Sequence, residues 1–322
     1  MVLVEVSAAG VRGLGYTFER AAAPIIRELE AVIRNCDVLA IASMHDQLRC
    51  AMHGTMAAAS AVAAIDIALW DLKARLLELP LALLLGAART EVPVCAVTAP
   101  GTRADRLARD VTEYAVRGHR RISIDLGDNL ERATERVQTA RDAAGPSVEL
   151  CVDARGRLTP DAALAIAGPL AALGVTYFAR PVSEEDIAGL AHIRSRSSIA
   201  IAAGHACQDP VCCNRMLAAH AVDVLEIDAT RCLGVTGFLQ ANALCAAHGI
   251  KLAAYGAPAV HVQLGGATSQ VAHVATPADS ARLEMLLFDG CPPVIGGLAR
   301  YAEARPGLGL ELRRNELHCL AA

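Results

Sequence analysis

Aromatic side chains are scarce in this 322-residue chain, at 3% of the total with a single tryptophan, so the core must be built from aliphatic groups. No apolar run approaches the roughly 20 residues that a membrane span requires. The first residues, Met1–Val6, lack the charged start and long apolar core of a signal peptide. A soluble cytoplasmic protein without a membrane partner is expected. Charge of one sign is lacking too: 30 Lys and Arg stand against 34 Asp and Glu, a net of -4, with both signs spread along the chain. The basic stripe that phosphate-backbone binding needs is absent, so nucleic acid is not an expected partner. The 11 cysteines are an odd number scattered from Cys36 to Cys319 rather than framing short loops, and are read as reduced thiols.

What is present is Ala, Leu and Val in quantity, within a hydrophobic fraction of 54% that suits helices packed on parallel strands. Residues 2–6 alternate like a short strand, and Gly10, Gly13 and Gly15 are read as turns. Helical stretches follow at 19–34 and 55–78, the second stopped by Leu79-Pro80. From Val92 onward, short β-branched runs recur at intervals of roughly 25 residues with helical stretches between them. They are Val92–Val97, Arg121–Leu126, Val148–Asp153, Val175–Phe178, Ile199–Ala203, Asp223–Ile227, Ile250–Ala254 and a weak eighth near Val271–Val274. Repeated right-handed strand–helix–strand crossovers close naturally into a barrel. An open doubly wound sheet would want a glycine-rich phosphate loop after the first strand, and Ala99-Pro100-Gly101 is not one. The expected fold is therefore a modified (β/α)8, TIM-like barrel over 91–300. An α+β capping domain over 1–90 is completed by the tail 301–322, whose Pro306–Leu312 reads as a turn and a returning strand.

Four stretches carry a resemblance: Ser60–Arg75 (SAVAAIDIALWDLKAR) with Leu79–Gly86 (LPLALLLG), Cys151–Ala154 (CVDA), Val224–Phe238 (VLEIDATRCLGVTGF) and Pro306–Leu312. Together they resemble the mandelate racemase and muconate lactonizing branch of the enolase superfamily over nearly the whole chain. The resemblance implies proton abstraction beside a carboxylate, with the enolate held by a divalent metal on three carboxylates and a base on each face of the substrate. It also implies a longer N-terminal lid than this chain carries, so a wetter pocket is expected.

Position by position, the family pattern is altered. Where relatives end the second strand Lys-x-Lys, this chain has Ser123-Ile124-Asp125. Asp153 keeps the first metal-type carboxylate, but Arg155 follows in place of asparagine. Where relatives end the fourth strand Glu-Glu-Pro or similar, this chain has Ala179-Arg180-Pro181, so the second carboxylate is lost, and His205 follows Gly204 where the third would stand. Asp228 matches the aspartate that orients a histidine, and that histidine position is Tyr255; the strand-eight glutamate aligns with Ala275. One carboxylate beside two arginines is a poor host for Mg²⁺, so no metal and no other cofactor is expected.

Three readings remain open. In the first, the chain is a metal-independent isomerase or lyase acting by proton transfer on a small carboxylate-bearing molecule. Asp125, His205, Tyr255 and Asp228 are then the candidate catalytic residues, and Arg155, Arg180, Asp153 and Ser123 the candidate substrate-binding ones. In the second, the barrel is a catalytically inactive binding or scaffold protein whose Asp153 and Arg180 form a structural ion pair. An unusual metal is a third possibility, and His205, Cys207, Cys212 and Cys213 form a cluster that either takes a soft metal or packs as small hydrophobes. Asp66, Asp71 and Lys73 are assigned to structure, and His220, His248 and His261 to surface or packing. A homo-oligomer is expected from the resemblance.

Overall fold

The computed structural model describes residues 1–52, 54–127 and 129–314. Cys319 and the end of the expected capping tail, 315–322, lie outside the described residues.

The chain opens with an antiparallel hairpin, β1 (Val2–Ala8) and β2 (Val11–Thr17), followed by helices α1 (Ala22–Ile33), α2 (Ile41–Ala51), α3 (Met56–Leu76) and the short α4 (Leu81–Leu84). The second strand corrects the sequence reading, which took its glycines for turn residues. Gly13 and Gly15 lie inside β2 because α3 lies directly on them. A Cβ on Gly15 would come within 2.0 Å of the Ala64 carbonyl, and one on Gly13 within 2.3 Å of that of Ala68. Helix α3 starts at Thr55, whose hydroxyl accepts the Ala58 N–H (3.2 Å). It is buried on nearly every face, as its run of Ala, Val, Ile and Leu demands.

Eight parallel strands then alternate with helices: β3 (Glu91–Val97), α5 (Ala104–Val116), β4 (Arg121–Asp125), α6 (Ala133–Ala144), β5 (Glu149–Asp153), α7 (Pro160–Ala172), β6 (Val175–Ala179), α8 (Ile187–Arg194), β7 (Ala200–Ala203), α9 (Pro210–Ala218), β8 (Val224–Ile227), α10 (Gly234–His248), β9 (Lys251–Tyr255), α11 (Pro258–Ala267), β10 (Val271–Pro277) and α12 (Ala278–Leu287). The sheet closes where β10 pairs with β3, Val274 opposite Val94, so the expected barrel is present and its eighth strand is longer than the sequence suggested. The short strands β11 (Phe288–Asp289), β12 (Val294–Ile295), β13 (Leu298–Arg300) and β14 (Glu311–Leu312) follow. The β12–β13 hairpin adds to β3 through Leu298 opposite Pro93, and β14 pairs with β11. Among the described residues no helix is long and apolar enough to cross a membrane.

Two carboxylates of α3 tie the parts together, in keeping with the structural role assigned to them. Asp71 accepts the N–H groups of Leu14 (2.7 Å) and Leu308 (2.6 Å) and the Nε of Arg75 (2.8 Å), joining β2, α3 and the tail. Asp66 accepts the N–H and hydroxyl of Thr236 at the start of α10 and sits 3.0 Å from His45 Nδ1. A buried carboxylate with several donors is costly to disturb, since every donor left behind must stay dry. The phenol of Tyr16 donates to Glu284 Oε1 (2.5 Å), and Ala259 N–H donates to Oε2 (3.0 Å), which fixes the hairpin to α11 and α12.

The contact between β2 and α3 makes a sharp test. Gly15→Ala should lower stability by about 3 kcal/mol or more in urea unfolding, because backbone meets the new methyl group.

Candidate functional site

Carboxylates end three of the barrel strands, and each closes the turn that follows it in the same way. Asp125 accepts the N–H of Gly127 (2.8 Å), Asp153 that of Arg155 (2.7 Å) and Asp228 that of Thr230 (2.8 Å). An aspartate bonding two residues onward is the usual side-chain mimic of a turn. The backbone past these strands is unusual, with Arg155 at φ +56° and Arg180 at φ +44°, a region that non-glycine residues seldom enter. Both arginines are thereby aimed by the ends of β5 and β6.

Arg180 is the centre of the arrangement. Its Nε donates to Asp153 Oδ1 at 3.1 Å and its Nη2 to Asp153 Oδ2, a two-pronged pair with both side chains mostly buried. The guanidinium lies 5.7 Å from the centroid of the Tyr255 ring. Its Nη1 points toward His205 Nδ1 at 3.5 Å, and Arg231 Nη1 approaches the same nitrogen at 3.1 Å. His205 stacks edge-on to Tyr255 with centroids 4.7 Å apart. Burial, together with the two guanidiniums, holds the His205 imidazole well below its ordinary pKa, so it is neutral at pH 7 and accepts rather than donates there. Burial also lifts the Tyr255 phenol above its usual range.

Asp153, Arg180, His205 and Tyr255, chosen from sequence, therefore meet at one place. Ser123 joins Asp153 and Tyr255 on the wall of a central cavity, together with Ala275 and the thiols of Cys95 and Cys151. Asp125 lies opposite Asp153 in register, but its carboxylate turns to Arg157 Nη2 (3.3 Å) and Arg155 Nη1 (4.0 Å) on the rim. Asp228 bonds Thr230 rather than Tyr255: both the N–H and hydroxyl of Thr230 donate to its Oδ1, and Gly256 packs so closely that a Cβ there would meet Oδ2 at 2.9 Å. His261 is fully buried, and its Nε2 accepts the Ala229 N–H (2.9 Å), whereas His220 and His248 are exposed.

Glu226 was missed from sequence. It sits two residues before Asp228 on β8 and lines the same cavity as Asp153, Tyr255 and Ser123. The signal was available: Leu225 and Ile227 face the helices, so period two turns Val224, Glu226 and Asp228 inward. Burial raises its pKa to about 7, with Arg180 pulling down and Asp153 and Glu184 pushing up. Glu184, another residue unremarked in the sequence, gathers the N–H groups of Gly204 (2.5 Å), His205 (2.8 Å) and Ala206 (3.0 Å) and so fixes the turn that carries His205. The cavity has a volume of about 10 Å³, room for roughly one water. Among the described residues, no three His, Cys, Asp or Glu side chains are arranged to hold a metal ion.

Comparison with known proteins agrees with the architecture. The family described as "Enolase C-terminal domain-like" matches residues 106–316, and "Mandelate racemase / muconate lactonizing enzyme, N-terminal domain" matches 1–86. A D-gluconate dehydratase from Thermoproteus tenax is 34% identical over 227 residues, covering 65% of this chain and 46% of that protein. The match thus spans about half of that relative's length. A 3,6-anhydro-alpha-L-galactonate cycloisomerase from Streptomyces coelicolor is 29% identical over 331 residues, covering 97% of this chain and 88% of its own. The crystal structure of a mandelate racemase/muconate lactonizing enzyme-like protein from Rubrobacter xylanophilus superposes with a TM-score of 0.92 at 40% identity, over 98% of this chain and 90% of that one.

The raised carboxyls predict how stability follows pH. Glu226 moves from 4.5 to about 7 on folding, Asp228 from 3.8 to about 6 and Glu284 from 4.5 to about 8. Across those windows the folded chain holds protons that the unfolded chain has released, so stability falls as pH rises. The buried histidines His205, His261 and His273 are held below their ordinary pKa and act in the opposite sense below about pH 6.5, so the carboxyl contribution is read as a difference: the gap in urea-unfolding stability between the unaltered chain and Glu226→Gln should change by up to about 3 kcal/mol from about pH 5 to about pH 8.

Proposed function

The chain belongs to the mandelate racemase and muconate lactonizing enzyme family of the enolase superfamily, and from that premise we propose that it is an isomerase or lyase acting on a small carboxylate-bearing molecule without a divalent metal. One observation carries the reading: a guanidinium, Arg180, lies across the single strand-end aspartate Asp153, beside a buried glutamic acid, Glu226, that shares its proton near neutral pH.

The donor set does not suit magnesium. Both oxygens of Asp153 are engaged by Arg180, and the neighbouring strand ends offer Arg155, His205 and Tyr255, two of them nitrogen groups and one a cation. A hard divalent ion wants oxygen ligands and is repelled by an adjacent guanidinium. The fixed cation is instead Arg180, with Arg155 on the rim, and its role is to attract the substrate carboxylate and stabilise negative charge that develops as a proton leaves.

Glu226 is the proton carrier in this proposal. A carboxyl with pKa near the operating pH removes and returns a proton about equally well. His205, expected from sequence to be the partner acid, is kept neutral and serves as an acceptor that orients Arg180 and Arg231. Ser123 and Tyr255 supply hydroxyls on the cavity wall, while Asp125 sets Arg155 and Arg157 at the entrance. The relatives named above as a dehydratase and a cycloisomerase support this class of reaction.

A second reading, a non-catalytic binding or scaffold barrel, is favoured by the small central cavity and by the completeness of the Arg180–Asp153 pair. One experiment separates the two. Acid sugars and hydroxy acids are screened by thermal shift, and binders are then incubated in D₂O and followed by proton NMR, with and without EDTA. The proposal expects exchange of the proton beside the carboxylate that is insensitive to EDTA and at least ~10²-fold slower in Glu226→Gln. Exchange that requires added Mg²⁺ would defeat the metal-free part. If no acid binds and Arg180→Ala merely lowers stability by about 3–5 kcal/mol, the scaffold reading holds.

A further inference from the structure

Just beyond His205, the loop into α9 gathers four thiols that the proton-transfer chemistry does not use. Cys207 Sγ lies 2.9 Å from Cys212 Sγ and 3.9 Å from the Met216 sulfur. Cys213 is hydrogen-bonded to Cys207 on one side and to Cys232 on the other. No group of three among the described residues is arranged to hold a metal ion, so the soft-metal alternative raised by the sequence lacks a ligand set. Two sulfurs in contact have another outcome available to them.

We propose that Cys207 and Cys212 are a redox-active pair that forms a reversible disulfide when a hydroperoxide reaches Cys212. Burial assigns the order of events. Cys212 is partly exposed, whereas Cys207, Cys213 and Cys232 are sealed at 1% exposure or less. Cys212 stands in the first turn of α9, with its N–H held by the capping Asp209 (2.8 Å). The Cys207 S–H donates to it, which lowers its pKa against the opposing effects of burial, Cys213 and Asp209 and raises that of Cys207; Cys213 is lowered more, to about 5, but is sealed from a peroxide, so exposure selects Cys212. The Cys212 thiolate attacks the hydroperoxide oxygen, giving a sulfenic acid and releasing an alcohol or water once the leaving oxygen takes a proton. The Cys207 sulfur then displaces the sulfenic oxygen as water, and the S–S bond forms. Two thiols are oxidised as one peroxide is reduced.

The bond needs a separation of about 2.05 Å, so the sulfurs must close by less than an ångström. The pair sits on the turn that carries His205, since Cys207 N–H donates to the Gly204 carbonyl (2.9 Å). Oxidation would therefore pin the segment between β7 and α9 at the mouth of the barrel.

The test uses the whole chain, exposed to hydrogen peroxide at a few equivalents, alkylated, and digested with trypsin. The tryptic segment 197–215 contains all three loop cysteines, and acid cleavage at Asp209-Pro210 separates Cys207 from the other two unless a disulfide joins them. The expected result is a Cys207–Cys212 cross-link in most chains, reversed by dithiothreitol, with Cys213 and Cys232 recovered as alkylated thiols after unfolding. Cys207→Ser should carry Cys212 on to sulfinic acid, and Cys212→Ser should leave Cys207 reduced. Over-oxidation of Cys212 in the unaltered chain without a cross-link, bonding to Cys213 instead, or identical oxidation in both variants would overturn the proposal.

Discussion

The ion pair between Arg180 and Asp153 is the constraint around which the mouth of this barrel is organised. The two residues come from adjacent strands, and the left-handed backbone at Arg180 turns its guanidinium back over the end of β5. Once it is there, everything nearby must accommodate a buried cation. His205 is kept neutral, the Tyr255 ring offers its face, and Glu226 feels both the attraction of Arg180 and the repulsion of Asp153. Removing either member of such a pair leaves an uncompensated charge, and that is why its neighbours are poised rather than idle.

Around that pair the barrel interior is more polar than the aliphatic composition would suggest. Arg121 at the start of β4 donates to Nδ1 of His273 (2.7 Å) and lies 5.2 Å from the Tyr177 ring centroid, while Glu226 and Tyr255 occupy the opposite end. The aliphatic side chains are used elsewhere, on the outer face of the strands beneath the helices, where Ile122, Ile124, Leu150, Val152, Leu225 and Ile227 are buried. Such a division lets an Ala-, Leu- and Val-rich chain keep a polar, titratable centre within a firmly packed shell.

The N-terminal segment is joined to this shell by side chains that act over long separations. Tyr16 reaches Glu284, Asp71 reaches the tail at Leu308, and Asp66 caps α10 through Thr236. Each link satisfies a buried polar group that would otherwise be stranded, so the helices and hairpin outside the barrel behave as part of its second layer.

Much of the fold was legible in the sequence because a strand announces itself locally. β-branched runs, the proline after α3 and the crossover spacing are all properties of a few neighbouring residues, and they gave seven strands close to their observed bounds and the first half of the eighth. The glycines of β2 were misread because the reason for them, the backbone of α3 pressed against theirs, lies some fifty residues away. In the site, the chain alone determined which residue types stand at the strand ends. Only the tertiary structure decided which of them pair, that Asp228 turns to Thr230 instead of Tyr255, and that Glu226 keeps a proton near pH 7. Ion pairing and desolvation depend on distances between strands far apart in sequence, and those distances exist only once the barrel has closed.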